Sequence, residues 1–170
     1  ALDELTYSAT LEDDSPIPSW LSFDSDTRTF GGTPTNENVG NLDIKVTATD
    51  SQGATVSDTF TLTVENTNDA PNLDNKTFSI LENSPNTTSV GTITASDPDT
   101  SDTLTYAITA GNSDPDNDGL AAFAINNTTG EITVADSGDL DFEITPQFNL
   151  TVTVTDAEGL SDDAAIAINL

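Results

Sequence analysis

The chain has 170 residues, 34% of them hydrophobic, with 30 acidic and three basic side chains and a formal charge of −27. That charge repels nucleic-acid phosphates and anionic lipid, so neither is expected as a partner. The absence of cysteine and histidine removes disulfides, thiol chemistry, the usual general base and the commonest transition-metal ligand.

No apolar run approaches a membrane span and no signal peptide opens the sequence, so no membrane insertion is expected and any export signal or anchor lies elsewhere. In chain order, strand signals begin with Asp43-Ile44-Lys45-Val46-Thr47-Ala48-Thr49 and Thr59-Phe60-Thr61-Leu62-Thr63-Val64. They return at Asn149-Leu150-Thr151-Val152-Thr153-Val154-Thr155. Each alternates apolar and polar residues, the period that turns one face to a core and the other to water. Gly, Asn, Asp and Pro clusters punctuate them, and no stretch keeps a helical period for long. An all-β chain is predicted.

The strands repeat. Val46-Thr47-Ala48-Thr49-Asp50 with Gly53 matches Val152-Thr153-Val154-Thr155-Asp156 with Gly159 at an offset of 106 residues. The same offset carries Phe60, Leu62 and Val64 onto Ile166, Ile168 and Leu170. Upstream, Asp3-Glu4-Leu5-Thr6-Tyr7 answers Asp102-Thr103-Leu104-Thr105-Tyr106, and Phe23, Asp24 and Phe30 answer Ile125, Asn126 and Ile132. Two tandem Greek-key β-sandwiches are predicted, over 1–65 and 72–170, joined by a linker over 66–71. The first begins at the position matching Asp102, so its opening strands are expected to be missing. Roughly thirty preceding residues would complete it, either trimmed away or supplied by another segment.

The second unit resembles a cadherin repeat. Leu81-Glu82-Asn83 is similar to the family's Pro-Glu-Asn turn, and Asp97-Pro98-Asp99 to its Asp-x-Asp. Phe123-x-Ile125 followed by Thr129-Gly130-Glu131-Ile132 resembles the mid-domain signature, and Leu140-Asp141-Phe142-Glu143 the Leu-Asp-Arg-Glu motif. Asn66-Thr67-Asn68-Asp69-Ala70-Pro71 resembles the interdomain linker. The first unit is similar to the dystroglycan-type cadherin-like repeats of bacterial surface proteins, through Leu5–Thr10, Pro18–Asp24, Phe30–Pro34 and Val46–Asp50. Trp20, the only tryptophan, sits inside that resemblance and is read as a packing residue rather than a sugar platform.

These resemblances imply calcium. The ion takes about six to eight oxygen ligands at roughly 2.3–2.6 Å. The linker offers Asn66, the Thr67 carbonyl, Asn68 and Asp69, and the top of the second unit adds Asp97, Asp99, Asp102 and Asp156. On a strand, Asp97 and Asp99 would point the same way. Two carboxylates 4 Å apart repel by about 4 kcal/mol at an effective dielectric near 20, so such a cluster needs a cation. Glu37, which aligns with Glu143, is expected to close the site from the first unit. Thr35 stands where Asp141 would be and Ala70 where the family's linker has Asn, so fewer ions than in vertebrate linkers are expected. Glu82, Asp141 and Glu143 resemble the half-site that a following linker would complete. Asp114-Pro115-Asp116-Asn117-Asp118-Gly119 looks like the start of a calcium loop, but Ile125 stands at its twelfth position. A polar surface loop is the favoured reading there.

The function implied is a calcium-rigidified adhesion or extension module at a bacterial cell surface, with neighbouring repeats of the same protein, a homotypic copy or a glycan as partners. The alternative is a carbohydrate-binding module of a secreted polysaccharide-degrading enzyme, although aromatics make up only 6% of the chain. An enzyme is not expected. Paired carboxylates can hydrolyse glycosides, but the acidic residues here fall at linker and loop-end positions.

Overall fold

In the computed structural model, residues 4–99 and 102–170 are described. The chain is all-β and divides into two units, one up to Thr67 and the other Asn68–Leu170. Among the described residues no helix is long and apolar enough to cross a membrane.

The first unit contains β1 (Thr6–Leu11), β2 (Leu21–Asp24), β3 (Thr29–Gly32), β4 (Gly40–Thr49) and β5 (Thr55–Val64), with a 3-10 turn at Asn36–Asn38. One antiparallel sheet runs β1-β4-β5 and a separate hairpin pairs β2 with β3. Ile44 of β4 is fully buried, and Phe30 meets Phe23 at 4.8 Å and Phe60 at 5.6 Å. Trp20 is half-buried.

The second unit contains β6 (Lys76–Ser79), β7 (Ser89–Thr92), β8 (Thr105–Ala110), β9 (Phe123–Ile125), β10 (Glu131–Val134), β11 (Gln147–Thr155) and β12 (Ser161–Asn169). Its sheets run β6-β12-β11-β8 and β7-β10-β9. Between them lies one core that includes Ile93, Phe123, Ile132, Phe148, Leu150, Val152, Val154, Ile166 and Ile168. On β11 the buried positions are the alternate residues from Phe148 to Val154, so the period read in the sequence is the pleat of this strand.

The internal repeat is structural. The first unit's β5-β4-β1 order answers β12-β11-β8, and its β3-β2 pair answers β10-β9. Among the described residues the first unit has no counterpart of β6, which pairs in parallel with β12, or of β7, which pairs with β10. The energetic consequence is visible at matched positions. Ile166 is fully buried whereas its counterpart Phe60 is 43% exposed. The sandwich that has all seven strands closes its core; among the described residues the other leaves one edge of β5 unpaired.

Candidate metal centre

Three oxygen-bearing segments meet where the chain enters the second unit: the β7–β8 connection, the β11–β12 turn and the linker. Asp97 and Asp99 follow β7, Asp102 precedes β8, Asp156 opens the β11–β12 turn, and Asn68 and Asp69 lead in from the linker. One carboxylate oxygen each of Asp97, Asp102 and Asp156 lies within 4.8 Å of the others. Asn68 joins them by donating its side-chain amide to Asp156 Oδ2 at 2.8 Å. Asp69 donates its backbone N–H to Asp99 Oδ2 at 2.7 Å.

The expectation that Asp97 and Asp99 share a strand face is corrected. The backbone bends there, and the Asp99 N–H donates to Asp97 Oδ1 at 2.8 Å, a local turn in which the first carboxylate caps the second residue. Asp97 therefore turns to Asp102 and Asp156, while Asp99, only 7% exposed, holds the linker backbone.

The sequence reading missed Glu158. It hydrogen-bonds Asp102, and that bond, followed by the Asp102 charge, burial and the Asp156 charge, raises its carboxyl above the usual range. The signal was present in the turn motif, where Gln52 of the first unit stands at the position of Glu158. Burial on its own would raise the Asp156 pKa, but the Asn68 amide and the backbone donors of Leu160, Gly159 and Glu158 outweigh it and lower the value.

These residues fit a hard cation. Their ligating atoms are all oxygens, and Asp97 Oδ2 and Asp102 Oδ2 are buried without a hydrogen-bond partner. A desolvated carboxylate oxygen with no donor is costly, and a divalent ion is the group that would satisfy several at once.

At the other end of β11, a nine-residue strand spanning roughly 30 Å, a second group forms. Oxygens of Glu82, Asp141 and Glu143 lie within 4.8 Å of one another. Glu82 Oε2 accepts the Phe142 N–H at 3.2 Å, and Asp141 Oδ1 accepts the N–H groups of Glu143 and Ile144 at 2.9 and 3.1 Å. Glu37 belongs to the first unit and is exposed on its 3-10 turn; Asn66 and Thr67, also exposed, end that unit.

Comparison with known proteins places the chain. Residues 76–170 match the cadherin domain family and residues 2–65 the family described as "Putative Ig domain". The chain thus belongs to the cadherin family, as a pair of cadherin-like repeats of the kind that build extracellular cadherin ectodomains. Over 117 residues it is 34% identical to the protocadherin-like wing polarity protein stan of Drosophila melanogaster, covering 67% of this chain and 3% of that protein. Extracellular cadherin domains 3–6 of protocadherin gamma B2 superpose with a TM-score of 0.73 at 20% identity, covering 96% of this chain and 41% of that one. The human desmocollin-1 ectodomain gives 0.65 at 25% identity, covering 98% and 33%. Mouse cadherin-23 repeats EC22–24 give 0.70 at 24% identity, covering 97% and 53%.

Proposed function

We propose that this chain is a stretch of an extracellular adhesion or extension protein whose successive modules are stiffened by calcium at their junction, and that it catalyses no reaction. The observation that supports this best is the Asp97–Asp102–Asp156 group, with two buried, unpartnered carboxylate oxygens at the chain's entry into the second unit. Calcium would supply positive charge to those oxygens. Asn68 and Asp69 are already positioned beside the group through Asp156 and Asp99. Asn66, the Thr67 carbonyl and Glu37 would complete the shell from the first unit. Glu82, Asp141 and Glu143 would serve the junction with a following repeat in the same way. The cysteine-free composition fits a bacterial surface, where ions take the stapling role of disulfides. The partners in this reading are calcium and neighbouring repeats of the same protein.

Hydrogen exchange across residues 66–70 tests the junction. Calcium is expected to slow exchange there in the natural chain and not in an Asp97→Asn, Asp102→Asn double variant. Equal exchange with calcium and with chelator in the natural chain contradicts the reading.

A further inference from the structure

We propose that the second unit carries a calcium site of its own, separate from the junction, in which the Asp114–Gly119 loop and the Asp136–Asp139 turn are tied together. The loop follows β8 and the turn follows β10. They touch directly: the Asp116 N–H donates to Asp139 Oδ1 at 3.1 Å, and a Cβ on Gly138 would lie 2.6 Å from Asp116 Oδ2.

All five carboxylates use one oxygen to hold backbone. Asp114 Oδ2 accepts the Gly119 N–H at 2.9 Å, Asp116 Oδ1 that of Asp118 at 3.0 Å, and Asp118 Oδ1 that of Leu120 at 2.8 Å. Asp136 Oδ1 accepts the Gly138 N–H at 3.0 Å. Among the remaining oxygens, Asp114 Oδ1, Asp136 Oδ2 and Asp139 Oδ2 are buried and accept no hydrogen bond. Asp139 is 0% exposed and Asp136 8%. Carboxylate oxygens this far from water are matched in folded proteins by a donor or a cation. Among the described residues no donor or cationic side chain reaches these oxygens. Lys76, the only basic residue of the second unit, donates instead to Thr92 and Thr94.

The spacing suits calcium. One oxygen each of Asp114, Asp116 and Asp139 lies within 4.8 Å of the others, and so does one each of Asp116, Asp118 and Asp136. Ligands of a single calcium, at about 2.3–2.6 Å from the ion, fall within roughly 5 Å of each other. Asp116 belongs to both groups, so two adjacent ions can share it. A donor set of oxygens alone favours a hard cation over zinc or copper. The electrostatics of the ion-free site agree with this. Burial raises the Asp139 pKa, which the Asp116 N–H opposes and the charges of Asp116, Asp136 and Asp114 reinforce. At Asp116 the Asp118 N–H lowers the pKa, but burial and the charges of Asp118, Asp136 and Asp114 prevail and raise it. The loop lacks an acid at its twelfth position because its closing ligands come from beyond β10.

Calorimetric titration of the full chain with calcium chloride tests the site. An Asp116→Asn, Asp139→Asn double variant is expected to lose at least one bound ion per chain, whereas the Asp97→Asn, Asp102→Asn variant keeps it. An unchanged stoichiometry in a natively folded Asp116→Asn, Asp139→Asn protein overturns the proposal. If that variant does not fold, amide NMR of the Asp97→Asn, Asp102→Asn chain decides. Saturable calcium shifts at Asp116, Asp118, Gly119 and Gly138 support the site, and their absence overturns it.

Discussion

Asp50 and Asp156 stand at matched positions in the two units and do the same local work. Asp50 Oδ1 accepts the N–H groups of Gln52 and Ala54, and Asp156 Oδ1 those of Gly159 and Leu160. Gly53 and Gly159 take φ of +87° and +98°, which explains why each turn carries glycine there. This much is legible in the repeated Thr-Asp-x-x-Gly pattern. What is not legible is Asp156 Oδ2, whose partner Asn68 is 88 residues away. Asp156→Asn places an amide N–H₂ against existing donors on one side or the other. It is expected to lower the melting temperature in chelator by a few degrees and to reduce the further rise on adding calcium. Asp50→Asn is expected to perturb only its own turn and leave the calcium response intact. Thermal melts of both variants, with and without calcium, separate these outcomes. Asp24 gives a pH-dependent counterpart: the backbone N–H groups of Thr27 and Asp26, then the Thr27 hydroxyl, lower its pKa below 3.8. A lowered native pKa means a stabilisation present above the unfolded value and lost as the pH falls through the native one. Carboxyl-carbon NMR should show Asp24 titrating below 3.8, and a midpoint at or above that value contradicts the assignment.

At the scale of elements, the long strands were readable and the short ones were not. β4, β5, β11 and β12 run for nine or ten residues, long enough for alternation to stand out. β6, β7 and β9 run for three or four, too few for a period, and depend on neighbours far along the chain. Gly91 of β7 illustrates this, because a Cβ there would lie 2.4 Å from the Phe78 ring of β6. The Thr-Gly-Glu-Ile motif gains a physical reason as well. Gly130 has φ of +69°, and a Cβ on it would lie 2.3 Å from the Ile93 carbonyl oxygen, whose residue donates its own N–H back to Gly130. Gly130→Ala combines backbone strain with a steric clash and is expected to cost about 1–3 kcal/mol or more. Phe148→Ala removes a buried ring that meets Phe123 edge-on at 5.0 Å and is expected to cost about 3–5 kcal/mol. Urea unfolding monitored on the second unit measures both. Two acidic groups, Asp97–Asp102–Asp156 and Glu82–Asp141–Glu143, were named from the sequence, whereas the partners of Asp114–Asp118, Asp136 and Asp139, and the Glu158 beside Asp102 were not. Each partner is set by folding and not by local spacing.

For the whole molecule, the two units differ in how completely they close. Among the described residues the first unit's buried hydrophobics are Leu21 and Ile44, while Leu5, Val39, Val56 and Phe60 stay 43–71% exposed. The second unit's core is continuous. In chelator the amides of β5 are therefore expected to exchange well before those of β11 and β12, and equal protection across the two units contradicts this ordering. In the function proposed above, carboxylates placed at both ends of β11, in a chain with 30 acidic and three basic residues, would make the module depend on cations for its stiffness. The most direct measurement is small-angle scattering of the full chain in calcium and in chelator. A narrower distribution of interunit distances with calcium, abolished by Asp97→Asn with Asp102→Asn, is the expected result. Identical distributions in the two buffers would contradict a calcium-stiffened junction.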